Sequence, residues 1–321
     1  MQRLLQKVPT FAPMKKWVLK AVVQKGISYL PGGHKINYLF QKYVTKGVNL
    51  SDEYFFDRLS HAREHLDNYE KLIGAASLNN TLEIGTGWYP VVPISLFLYG
   101  ANNINTIDIS PLLTKESLKI ALTRFMNISD NGELNRYIKV SPERLATLKK
   151  LYGEYEGLPM NEILATLKIN YLIKDARATG FADKYFDMVS SNNTFEHIYP
   201  AILEGILKEF KRITKSGGLM SHSIDMSDHF AHFDKAISVF NFLKYSDKQW
   251  ELIDNSIQPQ NRYRITEYKD LYKKLGIPIT KETLVRGNMD ALKQLDLDEK
   301  YSGEPLEDIA VIHCNLASVM A

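Results

Sequence analysis

The sequence predicts an α/β chain built on a doubly wound, mostly parallel sheet of seven strands, with an N-terminal helical appendage and a helical insertion. Three observations predict it. From residue 78 onward, apolar runs of strand length alternate with amphipathic segments of helix length, the pattern of a parallel sheet covered on both faces. The first run ends in a glycine turn, Thr81-Leu82-Glu83-Ile84-Gly85-Thr86-Gly87, where glycines let the backbone take φ > 0 and let a ligand lie against the main chain. An acid, Asp108, closes the second run about twenty positions later, where a βαβ unit presents a carboxylate to ribose hydroxyls.

Composition bounds the rest. With 45% hydrophobic and 24% charged residues in 321, the chain is long enough for one large domain with additions, and no apolar run reaches the length of a membrane span. A single cysteine, Cys314, excludes an intramolecular disulfide and suits a reducing compartment, so a cytoplasmic location is expected. Charge is distributed unevenly. Residues 1–51 hold nine Lys and Arg and no Asp or Glu, leaving 31 basic and 37 acidic residues for the remainder. Residues 1–50 therefore suit an anionic partner, and contact with the inner face of a membrane is one reading. Lysines interleaved with Met14, Trp17, Val18, Leu19, Val22 and Val23 form a helix with one apolar face, and packing of that face on the rest of the chain is the simpler reading. No nucleic-acid-binding module is recognisable, and no nucleic acid is expected.

Taken in order, residues 1–77 form a basic helical region, broken near Gly32-Gly33 and Gly47 and ending in a helix over 52–76 with Phe55, Leu59, Leu66, Tyr69 and Leu72 on one face. Residues 78–321 form the second region. After the glycine turn come a helix over Val91–Tyr99, a strand over Asn105–Ile109 and a helix over Leu112–Met126. The insertion spans 127–168, with helical pieces at 142–152 and 160–167. A lid or acceptor-binding wall and a merely packed helical pair are its two readings. Strands follow over 171–176, 186–193 and 219–225, the last behind the Ser216-Gly217-Gly218 turn, with a helix over 200–214 between them. A helix over 266–275 precedes two terminal runs, 283–285 and 309–319, which can pair as a hairpin.

Glu83 stands two residues before the first glycine, so the turn repels a pyrophosphate and attracts a cationic group. With that, five stations in order carry a family resemblance: Leu82-Glu83-Ile84-Gly85-Thr86-Gly87, Asp108, Asp175-Ala176, Phe186-Asp187-Met188-Val189 with Glu196-His197 behind it, and Lys215-Ser216-Gly217-Gly218. The chain resembles the class I S-adenosylmethionine-dependent methyltransferases over about residues 78–321, which have a Rossmann-like sheet. The resemblance implies S-adenosyl-L-methionine as cofactor. It implies that Gly85, Thr86 and Gly87 meet the methionine portion, with Glu83 near its ammonium. Asp108 and Ile109 then line the ribose, Asp175 and Ala176 meet the adenine edge, and Asn192 or Asn193 closes the floor. One departure is that Tyr89-Pro90 stands where many relatives carry a third glycine. A further resemblance, in 225–233, 245–247 and 261–264, is to bacterial methyltransferases of surface-polysaccharide and lipopolysaccharide biosynthesis. It implies O-methylation of a saccharide or glycan intermediate.

Oxygen methylation is an in-line displacement that gains from a positioned base, and His197 is the first candidate, with bracing of the loop as its alternative role. His229 and Asp225 are further catalytic candidates. His229, His232 and Asp225 or Asp228 offer metal-ligand chemistry at a spacing of low specificity, so no metal is expected, and Asp228 also suits a helix cap. Arg262 and Arg264 read either as contacts to an anionic acceptor or as surface pairs. Trp88 and Tyr89 read as a border of the donor pocket or as packing. Three alternatives stand beside this reading: a methyltransferase for another small metabolite or lipid, a nicotinamide-dependent oxidoreductase, and a non-catalytic membrane-associated scaffold. The missing Gly-x-Gly-x-x-Gly spacing and Glu83 speak against the oxidoreductase.

Overall fold

The computed structural model describes residues 15–30, 49–74, 77–130 and 132–321. Met14, Gly32, Gly33, Gly47 and the basic residues Arg3, Lys7, Lys35, Lys42 and Lys46 lie outside them. Among the described residues, two helices, α1 (Lys16–Ser28) and α2 (Asp52–Leu72), precede the sheet. The alternation then runs β1 (Asn80–Ile84), α3 (Val91–Tyr99), β2 (Asn103–Asp108), α4 (Lys115–Ser129), α5 (Pro142–Glu154), α6 (Met160–Thr166) and β3 (Ile169–Ile173). It continues with β4 (Phe186–Asn192), α7 (Pro200–Ile213), β5 (Thr214–Asp225), α8 (His229–Phe233), α9 (Asp247–Ile253), α10 (Ile265–Leu275), β6 (Lys281–Arg286) and β7 (Val311–Val319).

The seven strands form one sheet in the order β3-β2-β1-β4-β5-β7-β6. Neighbours are parallel except for β7, which runs antiparallel to both β5 and β6. The terminal runs pair as the sequence suggests, yet β7 lies between β5 and β6. Hydropathy explains the order: Val311, Cys314, Leu316 and Ala317 of β7 are buried, whereas β6, Lys-Glu-Thr-Leu-Val-Arg, is largely exposed and suits an edge. β5 begins at Thr214, earlier than the 219–225 run, because a register shift around Gly217 (φ +74°) reconnects the ladder between Phe186 and Met188 of β4.

Strand alternation sends residues to two cores. On one face Ile104, Ile169, Met188 and Leu219 pack with α2, α3 and α4 and with Leu148, Leu151, Ile163 and Leu164 of the insertion helices. On the other, Leu82, Ile107, Val189 and Met220 pack with α7 and α10. Burial of these insertion residues makes α5 and α6 an integral layer of the first core. The tip beyond α5 comes level with the start of α4, where Tyr155 donates its hydroxyl to the Lys115 carbonyl (2.5 Å).

The N-terminal helices share these cores. Ser51 caps α2 by accepting from the Tyr54 amide (3.2 Å), and Phe55, Leu59, Ala62 and Leu66 are buried against the first core. α1 buries Trp17 and Ala21 in a third cluster with Phe230, Phe240, Phe242 and Trp250, and Ile27 is buried as well, while Leu19 and Val22 face outward. Polar contacts fix it: the Trp17 amide donates to Asp234 (3.2 Å), and Lys25 donates to the carbonyls of Glu251 (2.8 Å) and Asp254 (2.6 Å). Packing is thus a use of the apolar face of α1. Among the described residues, no helix is long and apolar enough to cross a membrane.

Trp17→Ala would empty a cavity between Phe230 and Tyr245, whose rings lie 5.7 and 6.0 Å from the indole. A loss of about 3–5 kcal/mol is expected, measured by urea unfolding. An unchanged midpoint would show that α1 is not docked in solution.

Candidate active site

β1, β2, β4 and β5 end on one edge, and the sequence places its polar residues there. Gly85 and Gly87 take φ of +85° and +63°, which an L side chain rarely adopts. A Cβ on Gly85 would lie 2.1 Å from the Thr194 hydroxyl, whereas one on Gly87 would meet nothing within 4 Å, so the turn is tight on one side and open on the other. Thr86 is tied beneath it to the Thr106 hydroxyl (2.5 Å).

Glu83 is buried below the turn. Its carboxylate accepts from the Thr106 hydroxyl (3.0 Å) and the Asn192 side-chain amide (3.0 Å). The Asn192 carbonyl oxygen in turn accepts from His65 Nε2 (2.8 Å), leaving His65 Nδ1 to accept from the Ser221 hydroxyl (2.8 Å). Burial pushes the Glu83 carboxyl up to about 7, against the opposing effect of the two hydrogen bonds, and lowers His65 to about 4. Asn192 therefore holds both a carboxylate and a neutral imidazole in register. Asn193 follows at φ +45°, its side-chain oxygen buried without a hydrogen-bond partner.

Asp108 at the end of β2 accepts from the amides of Gly87 (3.0 Å) and Ser110 (3.1 Å), so it joins the glycine turn to the second strand. Burial raises its carboxyl above the usual range. Ile109 beside it is 72% exposed, an apolar side chain standing free over the edge. β3 stops at Ile173, so Asp175 and Ala176 lie in the following turn. There Asp175 pairs with Arg177 (2.6 Å), whose hydrogen bonds hold it below the usual carboxylate range, while Ala176 is buried.

A second cluster forms where β4 and β5 end. His197 Nδ1 lies 2.7 Å from the Pro259 carbonyl, which only accepts, so Nδ1 carries the proton and Nε2 is bare. Burial lowers His197 to about 4. Its ring stands edge-on to His229 at 4.8 Å, and His229 Nε2 is 3.4 Å from Asp225. Despite the burial of both, the Asp225 carboxyl is held low and the His229 imidazole high, chiefly through their mutual hydrogen bonding. The 3.4 Å separation is long for such a bond, and an ion pair is the better description. His232 reaches the same carboxylate at 3.9 Å from a largely exposed position. Asp228 accepts from the Phe230 amide (2.8 Å) as the cap of α8.

The arginines correct the sequence reading on both counts. Arg264 is fully buried and donates to the carbonyls of Met226 (2.6 Å), Ile309 (2.6 Å) and Val311. Arg262 is buried too, donating to the carbonyls of Phe242 (3.0 Å) and Tyr245 (2.5 Å) and pairing with Asp247. Both tie loops together; their side chains are neither surface pairs nor open to an acceptor. Tyr89 stacks edge-on against Tyr54 of α2 at 6.3 Å. Residues the sequence reading passed over come from α2: His65, and Arg58, whose charge acts on both Glu83 and Glu196. Their signal was a polar stripe, Arg58, His61, His65 and Asn68, at helical spacing beside the apolar face.

The family comparison fits this geometry. A methyltransferase domain matches residues 128–221, which covers α5, α6, β3, β4, α7 and most of β5. Solved structures with a similar course include phosphoethanolamine N-methyltransferase 2 of Haemonchus contortus in complex with S-adenosyl-L-methionine (13% identity, TM-score 0.44, 88% of this chain and 59% of that one). Others are the PH0226 protein of Pyrococcus horikoshii (15%, 0.48, 87% and 97%) and geranyl diphosphate C-methyltransferase of Streptomyces coelicolor (12%, 0.44, 80% and 77%). The chain thus spans less than two thirds of the Haemonchus enzyme. Likenesses below a TM-score of 0.5 add nothing to the functional argument. No curated protein matches.

Glu83 makes the stability of the ligand-free protein depend on pH. Its folded pKa, about 7, exceeds the ordinary 4.5, so its contribution is fully present below 4.5 and lost as pH rises through 7. The loss is on the order of 3 kcal/mol. Urea unfolding of wild type and Glu83→Gln at pH 5 and pH 8 should show wild type losing this much relative to the variant; parallel pH profiles would contradict the burial of an ionisable carboxyl here.

Proposed function

We propose that the enzyme methylates an oxygen of a saccharide or glycan intermediate, as in surface-polysaccharide biosynthesis. The observation that carries this reading is the acceptor side of the edge: Glu196, His197, Asp225 and His229 gather hydrogen-bonding and ionisable groups at the ends of β4 and β5. A hydroxylated acceptor matches such a lining better than an apolar one does. The sequence resemblance to polysaccharide-associated methyltransferases supports the same substrate class. Another small metabolite or a lipid is the alternative acceptor. Peripheral contact of residues 1–50 with an anionic membrane belongs to the same proposal, with Lys15 and Lys16 at the start of α1 as exposed basic residues.

In this reading the donor's residues are those on the glycine edge. Gly85, Thr86 and Gly87 leave room along the main chain for the methionine portion, with open space where a Gly87 Cβ would stand. Glu83 faces its ammonium, Asp108 and Ile109 the ribose, and Asp175 and Ala176 the adenine. Asn192 and Asn193 form the floor. Bound there, the donor supplies an electrophilic sulfonium methyl. The chain's task is to align the acceptor oxygen behind that methyl, exclude water and receive the hydroxyl proton. The bare Nε2 of His197 is a lone pair of suitable type, its ring held by the Pro259 carbonyl, and the Asp225–His229 pair orients the acceptor. The domain division at 77/78 is proposed as a boundary in the sequence only, since α2 packs within the first core.

Two measurements test the reading. Calorimetric titration with S-adenosylmethionine should give affinity that rises between pH 6 and 8 as Glu83 ionises, and Asp108→Ala should weaken binding roughly tenfold or more, the loss of charge-assisted hydrogen bonds. A flat profile with an unaffected Asp108 variant would place the donor elsewhere. Labelled-methyl transfer to a panel of nucleotide sugars, lipid-linked sugars and lipid extracts should label a sugar; label confined to lipid would overturn the saccharide assignment.

A further inference from the structure

Glu196 presents an unresolved electrostatic problem. It is 2% exposed, and neither carboxylate oxygen has a hydrogen-bond partner. An ionised carboxylate cannot be left so: it must take a proton or face a cation. Arg58 of α2 acts on it only weakly, behind Asp225 and His229. Beside Glu196 stand His197 and His229, and ligand atoms of the three lie within 4.8 Å of one another. His197 already has the arrangement of a metal-ligating imidazole, Nδ1–H given to a backbone carbonyl and Nε2 bare. His229 turns Nε2 toward Asp225 at 3.4 Å, so a carboxylate stands where it can orient the ring through Nε2–H and leave Nδ1 for an ion.

We propose that Glu196, His197 and His229 bind a divalent transition-metal ion of the Zn²⁺ type, with Asp225 as the positioning carboxylate. The cluster differs from the His229, His232 and Asp225 set suggested by sequence spacing, because His232 is largely exposed while Glu196 is enclosed. Two imidazoles and one carboxylate favour a borderline-soft ion over Mg²⁺ or Ca²⁺. Bonds of 2.0–2.1 Å around a tetrahedral ion set ligand separations of about 3.4 Å. The cluster therefore closes on an ion by side-chain shifts of about an ångström. Charge also balances, since Glu196 and Asp225 together offset two positive charges. Three protein ligands leave one position open toward the ends of β4 and β5. There an acceptor hydroxyl would bind with its acidity raised by the ion and pass its proton to solvent as its oxygen takes the methyl, His197 then being a ligand instead of the base; this use rests on the methyltransferase reading, whereas the binding itself does not.

The test uses the full chain, stripped with a chelator and dialysed against Zn²⁺ or Co²⁺. Elemental analysis should find about one metal per chain, and Co²⁺ should give visible ligand-field absorption from nitrogen and oxygen ligation. Glu196→Gln and His229→Asn should each lose the stoichiometric metal, and Asp225→Asn should weaken it by about 10–100-fold. Calorimetric affinity for S-adenosylmethionine should be unchanged in all three. Metal-free wild type, or equal metal in wild type and both ligand variants, would overturn the proposal and leave a proton as the partner of Glu196. Should circular dichroism show that the ligand variants do not fold, the wild-type Co²⁺ spectrum decides alone, by its presence or absence. Failure to bind S-adenosylmethionine would strike at the methyltransferase reading and leave the metal result standing.

Discussion

The hydrogen-bonded burial of Glu83 is the interaction on which the rest of the edge depends. A carboxylate at the end of a central strand is costly unless its oxygens are met, and Thr106 from β2 and Asn192 from β4 meet them. Those bonds cross-link the three central strands at the level of the glycine turn. They also carry the constraint onward, because Asn192 turns its amide to Glu83 while its oxygen accepts a hydrogen bond from His65. A helix outside the alternating β/α pattern is thus recruited into the site by one carboxylate's need for partners.

α2 answers that need through its polar stripe. His65 reaches both Asn192 and Ser221, and Asn68 donates to Asn315 of β7 (2.9 Å), while Arg58 and His61 lie further along toward the strand ends. The helix buries an apolar face against the first core and a hydrogen-bonding face against β4, β5 and β7. His61 stacks on His313 at 5.4 Å, opposite Asp225 in the β5–β7 register. The glycine-turn edge and the histidine-rich edge are therefore roofed by the same element. Movement of α2 would disturb both at once.

Much of the fold was legible because periodicity and punctuation agree. α3 falls on Val91–Tyr99 as read, and the insertion helices start at Pro142 and Met160, where Pro142 and Pro159 mark the first turns. The glycine turn, Asp108 and the Glu196-His197 station were readable from local residue order. Less local facts were not. β7 takes an interior position because its neighbours bury both faces, and Arg262 and Arg264 turn inward because loops distant in sequence leave carbonyls there. Ion pairs and loop clamps use the same residue types, so spacing alone could not separate them.

Sequence by itself determined the succession of strands and helices and the glycine turn, since each follows from short-range pattern: strand hydropathy, positive-φ glycines and an acid at a set interval. Tertiary structure alone decided that His65 belongs with Glu83 and Asn192, and that Glu196 is sealed with two unpartnered oxygens beside two imidazoles. The reason is physical. Hydropathy patterns record whether a side chain is buried, whereas a buried polar atom's partner depends on which segments, often more than a hundred residues apart, the folded chain brings within hydrogen-bonding distance.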